Sequence, residues 1–122
     1  MTVPPYGLNI LIAGPSASGK STLAVGVIER LISGAYQVCV VDPEGDYGTL
    51  REVVTLGSQD RAPTVHEVLA VLDDPRMNLN VNLLGIPLLR RPEYFGHLFP
   101  SPQAMRTRTA RPHWIVLDEL TT

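Results

Sequence analysis

The chain has 122 residues, 44% of them hydrophobic and 18% charged, with a formal net charge of −2 and a single cysteine. That length supports one domain with a modest core, and the balance excludes a disordered chain or a globally basic nucleic-acid binder. Cys39 has no partner for an internal disulfide and, inside an apolar run, is expected as a small core residue.

The first apolar stretch, Leu8 to Ala13, is too short to span a membrane and lacks the basic flank of a signal peptide. No membrane partner and a cytoplasmic location are therefore expected. Asn9 to Ala13 is the first strand candidate and stops at Gly14. From Lys20 to Ser33 the spacing is helical, with Leu23, Val27 and Leu31 on one row and Ala24, Ile28 and Ile32 on the next; Gly34 marks a helix stop. Gln37 to Val41 is a β-branched strand candidate ended by Asp42-Pro43-Glu44-Gly45. Thr64 and Glu67 have capping-box spacing, which predicts a short helix to Leu72. Leu79 to Leu84 alternates apolar residues with Asn80 and Asn82. Arg91 to Phe99 is helical in pattern, Pro100-Ser101-Pro102 interrupts it, and a second helical piece runs to Thr109. His113 to Leu117 is the last strand candidate. The alternating order implies an α/β domain with a mostly parallel sheet and ligands at the carboxyl ends of its strands. Gly14, Asp42 and Asp118 each fall at such an end.

Gly14-Pro15-Ser16-Ala17-Ser18-Gly19-Lys20-Ser21 satisfies the P-loop pattern at every fixed position. A triphosphate needs several donors converging on its oxygens, and backbone N–H groups of a tight loop supply them. Gly14 and Gly19 permit the backbone angles and the close approach. The helix opening at Lys20 points its positive end at the anion. Lys20 adds a full charge for the outer phosphates, and Ser21 offers a hydroxyl to Mg²⁺. The expected nucleotide-binding set is Gly14, Ser16, Ala17, Ser18, Gly19, Lys20, Ser21 and Thr22, with ATP and Mg²⁺ as cofactors. No guanine-reading N-K-x-D segment is present.

His113-Trp114-Ile115-Val116-Leu117-Asp118-Glu119 has the form of a Walker B strand. Asp118 then stands beside the phosphate loop, where it can hold a magnesium-bound water. Glu119 can polarise the water that attacks the γ-phosphate. Val38 to Asp42 is a rival apolar run ending in aspartate; with Asp42 as metal or acceptor group the chain is a small kinase. Asp42 as a plain turn residue, with Pro43 and Gly45, is equally open. Arg90-Arg91 and the Arg106, Arg108, Arg111 group are expected on solvated helix faces. Tyr47 and Tyr94 are expected to pack rather than to stack on bases. His66, His97 and His113 lack metal-ligand spacing.

With the P-loop upstream and Arg111 to Glu119 downstream, Val41-Asp42-Pro43-Glu44-Gly45-Asp46-Tyr47 carries a family signal. Over about Leu8 to Glu119 the chain resembles the HerA/FtsK-like branch of P-loop ATPases, whose members often have a D-P-x-G-[DE]-[YF] phrase on this strand. The resemblance implies a RecA-like three-layer αβα core, often hexameric, that couples ATP hydrolysis to movement along DNA. It implies Lys20 and Glu119 in catalysis and Ser21 and Asp118 at the metal. Asp42 and Asp46 are expected near the active site without an assigned role. Residues 1–122 then form one P-loop ATPase domain, the N-terminal portion of a larger protein, incomplete just after the Walker B strand. In the family's sheet a further strand separates the P-loop strand from the Walker B strand, so a gap is expected there. A small-molecule or nucleotide kinase and a non-catalytic ATP-binding remnant are the alternatives.

Overall fold

Apolar runs bounded by turn residues become strands when helices cover both faces of a sheet. The computed structural model describes residues 9–13, 20–45, 47–99, 112 and 114–118; for 9–13, 20–23 and 118 it describes the backbone. Strands β1 (Asn9–Ala13), β2 (Val38–Asp42), β3 (Val53–Leu56), β4 (Asn78–Asn82) and β5 (Trp114–Asp118) form one sheet in the order β1-β5-β2-β4-β3. Every pairing is parallel. Helix α1 (Lys20–Ser33) covers one face; α2 (Val65–Leu72) and α3 (Arg91–Leu98) cover the other. The expected three-layer α/β architecture is therefore present.

Side-chain alternation along the strands sorts the core into two halves. Val38, Val40, Trp114 and Val116 pack with Ala24, Ile28 and Tyr47 on the α1 side. Cys39, Val41, Leu79, Val81 and Ile115 pack with Val68, Leu72 and Leu98 on the other. Tyr47 and Cys39 are thus core residues, as their sequence setting suggested. Among the described residues no helix is long and apolar enough to cross a membrane.

The expected gap is not found. Asn9 pairs with Trp114 and Ala13 with Asp118, so the P-loop strand and the Walker B strand are direct neighbours. A fifth strand, β3, also went unanticipated. It has only four residues and lies between two left-handed residues, Glu52 (φ 63°) and Gly57 (φ 92°). A Cβ on Gly57 would lie 2.6 Å from the Asn82 carbonyl oxygen, so glycine is needed both for its angle and for that close approach. The helical piece expected to reach Thr109 lies outside the described residues.

Local signals act largely as read. Thr64 accepts from the Glu67 N–H (3.1 Å) and Glu67 accepts from the Thr64 N–H (3.2 Å), closing the capping box. That backbone bond, with Arg61 2.8 Å away, holds the Glu67 carboxyl below its ordinary pKa. The end of α1 differs in detail. Its left-handed residue is Ala35 (φ 65°), not Gly34. The Tyr36 N–H donates to Leu31 O and the Ala35 N–H to Ile32 O, each at 3.0 Å, a Schellman closure with alanine where glycine is usual. Arg91 also departs from expectation. Its guanidinium is part-buried and donates to the carbonyls of Ile86 (3.0 Å) and Leu83 (3.1 Å), tying α3 to the loop after β4.

Polar side chains pin β2 at its amino end. Gln37 is only 3% exposed, and its amide nitrogen faces the carbonyls of Leu72, Asp74 and Met77 at 3.0–3.1 Å. Asn78 Oδ1 accepts from the Val38 N–H at 2.9 Å. The end of α2, the turn after it and the start of β4 are thereby fixed against β2.

Gln37→Leu leaves these buried carbonyls without their donor and is expected to lower stability by about 2 kcal/mol in urea unfolding. Ala35→Gly relieves a left-handed alanine and is expected to add about 1 kcal/mol, raising Tm by a few degrees. Burial pushes the Cys39 thiol up to about 12. Its thiolate is therefore scarce at neutral pH, and a thiol reagent is expected to label Cys39 only after denaturant unfolds the chain.

Candidate functional site

The parallel register brings the chemistry-bearing positions to one edge of the sheet. Ala13 is the last residue of β1, in register with Asp118, the last residue of β5. Val41 is in register with Leu117, so Asp42 and Asp118 end neighbouring strands one position further on. Asp42 is in register with Asn82 on the other side. The carboxyl ends of β1, β5, β2 and β4 therefore stand side by side. Residues 14–19 follow Ala13 in the sequence, and α1 begins at Lys20, followed by Ser21 and Thr22 in its first turn. The helix then runs back towards the amino edge, where β2 starts. Its amino end, with unpaired N–H groups and the positive end of its dipole, thus follows the carboxyl end of β1.

Of the expected site residues, Lys20, Ser21, Thr22 and Asp118 have a backbone position in these elements. Gly14, Ser16, Ala17, Ser18, Gly19 and Glu119 lie outside the described residues, as do Asp46, Arg106 and Arg108.

Asp42 is fully described and decides one open question. It is completely buried. Its Oδ2 accepts from the backbone N–H of Tyr47 at 3.0 Å and from Asn80 Nδ2 at 3.1 Å. Its carbonyl accepts from the Leu83 N–H at 2.9 Å. These bonds close the turn after β2 and join it to β4. Gly45 (φ 76°) lets that turn pass under Leu84, whose Cδ1 would be 2.8 Å from an added Cβ. The turn-forming reading of Asp42 is the one the structure supports.

Asn80 was missed. The Asn78-Leu79-Asn80-Val81-Asn82 alternation resembles a strand with one wet face. In fact Asn78, Asn80 and their apolar neighbours are all buried, because β4 lies between β2 and β3 and α2 packs against it. A sheet expected to be covered on both faces was the available signal: polar residues inside it need partners.

Concave regions among the described residues lie elsewhere. One of about 510 Å³ runs between α1 and the 49–52 segment, lined by Val25, Glu29, Leu50 and Glu52. Another of about 380 Å³ lies between the start of α2 and α3, lined by Thr64, Arg90, Tyr94 and His97. Neither is lined by a residue of β1, β2 or β5.

Comparison with known proteins gives one result. The family model for the central domain of helicase HerA matches residues 9–111. Searches of curated proteins and of solved structures return no match. The matched segment begins with β1, takes in residues 14–19 and α1, and continues past α3. It stops short of β5, so the position of Asp118 rests on strand register alone. Covering most of a parallel α/β sheet that carries a P-loop sequence after its first strand, this match makes the chain a member of the HerA-type P-loop ATPase family.

Proposed function

We propose that residues 1–122 form a single nucleotide-binding domain of a HerA/FtsK-like ATPase that holds ATP with Mg²⁺ at the carboxyl edge of the sheet. Gly14, Ser16, Ala17, Ser18 and Gly19 cradle the phosphates through backbone N–H groups, and Lys20, Ser21 and Thr22 complete the cradle at the start of α1. Ser21 and Asp118 are the residues that suit the metal: a hydroxyl and a carboxylate, few in number, as Mg²⁺ tolerates. Bound there, Mg²⁺ neutralises charge on the outer phosphate oxygens. Lys20 adds a positive charge and Glu119 orients the attacking water as its proton acceptor. In the complete protein, hydrolysis drives translocation along DNA or helicase action, in a hexameric assembly in the cytoplasm.

The observation that carries this reading is the register of Ala13 with Asp118. It sets the strand feeding the phosphate loop beside the strand ending in the acidic pair. The family match across loop 14–19 supports it independently. The kinase alternative needs Asp42 turned towards an acceptor. Its Oδ2 is instead engaged by the Tyr47 N–H and the Asn80 amide inside the sheet. The non-catalytic alternative differs only in turnover, since it keeps the same cradle.

Calorimetry of the purified chain is expected to show magnesium-dependent ATP binding. Lys20→Ala is expected to weaken it by ~100-fold, the worth of a charge-assisted contact of about 3 kcal/mol. A folded wild-type chain that takes up no Mg-ATP overturns the proposal. Binding without phosphate release selects the non-catalytic reading.

A further inference from the structure

Asn80 is a polar residue where the packing calls for an apolar one. It is completely buried on β4, between Leu79 and Val81. Its Nδ2 donates to Asp42 Oδ2 at 3.1 Å and approaches Thr55 Oγ1 at 3.4 Å. Its Oδ1 is buried and accepts no hydrogen bond among the described residues. An orphaned buried acceptor costs about 1–3 kcal/mol, a cost set against the bond that Asn80 gives the buried Asp42 carboxylate.

Its bond leads towards the phosphate edge. Asp42, held by Asn80, in turn accepts from the backbone N–H of Tyr47. The Tyr47 side chain is 1% exposed and packs in one cluster with Ala24 and Ile28 of α1. Ala24 is one helical turn from Lys20, at the end of α1 that follows loop 14–19. A line of contacts thus runs from β4 through β2 and the turn after it to the first turns of the helix. An interaction that seats Tyr47 also seats α1 on the sheet, and α1 carries Lys20 and Ser21.

We infer that Asn80, Asp42 and Tyr47 are positioning residues that set where the amino end of α1 stands at the phosphate edge, so that Mg-ATP affinity depends on the Asn80–Asp42 hydrogen bond. This rests on the nucleotide-binding reading above. Each of the three acts through the next. Misplacing positioned groups by about 1 Å costs on the order of 100-fold in rate, and donors aimed at phosphate oxygens depend on distance and angle in the same way.

The test compares the full chain with Asn80→Leu and with Gln37→Leu, which removes a comparable buried polar lock at the opposite edge of the sheet. Mg-ATP affinity is measured by calorimetry well below each variant's Tm. Asn80→Leu is expected to weaken Mg-ATP by ~10-fold, while Gln37→Leu, though less stable than wild type, binds within about twofold of it. Asn80→Ser, too short to reach Asp42, is expected to match Asn80→Leu and replaces it as the deciding variant if the leucine chain does not melt cooperatively. Affinity unchanged in the Asn80 variants overturns the inference, as does an equal loss in Gln37→Leu, which traces the effect to stability in general. A wild-type chain that binds no Mg-ATP is a different failure: it removes the nucleotide-binding reading and this inference with it.

Discussion

The fold depends on β2 being buried on every side. All five of its residues, Val38 to Asp42, are buried. It is flanked by β5 and β4, and covered by α1 on one face and by α2 and α3 on the other. A strand so placed has no access to water, so its N–H and C=O groups must all be met by protein. Two parallel ladders meet most of them. At the ends, where a ladder runs out, side chains take over: the Asn78 amide oxygen receives the Val38 N–H at one end, and at the other the Asp42 carboxylate receives the Tyr47 N–H and the Asn80 amide. The middle of the strand is apolar and its two ends are polar locks.

The two locks do different work. Gln37 and Asn78 gather the amino edge, drawing in the carbonyls that close α2. Asp42 and Asn80 organise the carboxyl edge, where the turn after β2 and the loop after β4 leave the sheet. Because the strands are all parallel, everything that leaves this edge leaves it together. The end of β1, the Asp42 turn and the end of β5 are neighbours because two long-range parallel pairings, β1 with β5 and β5 with β2, set them side by side.

The architecture was legible where the pattern and the local chemistry agreed. The strand candidates at Asn9–Ala13 and Gln37–Val41 and the helical rows of α1 identified elements within a residue of their bounds. The capping box at Thr64 marked α2 because two reciprocal hydrogen bonds leave a four-residue signature. Strand β3 was invisible because Val53–Leu56 is an edge strand of four residues whose existence depends on β4 pairing with it. Sheet order was beyond local reading altogether: that β1 touches β5 is a long-range fact, and a family expectation placed a strand between them. At the carboxyl edge, the spacing of Gly14 to Ser21 gives a P-loop sequence after β1, whereas the burial of Asp42 and Asn80 leaves no such local mark. An acid and an amide far apart in sequence become partners only once two strands lie side by side.

The same sheet order imposes a sequence of events on folding. Strand β1 is made first, yet its ladder partner among the described strands is β5, about a hundred residues later. Strands β2, β4 and β3 can pair among themselves as soon as Asn82 has emerged. Their closure spans tens of residues; that of β1 spans nearly the whole chain, and loop-closure entropy makes it the slower event. During synthesis, β1 must wait, unpaired with β5, for Trp114–Asp118 to appear. An apolar strand held open for that interval is the segment of this protein most exposed to wrong partners.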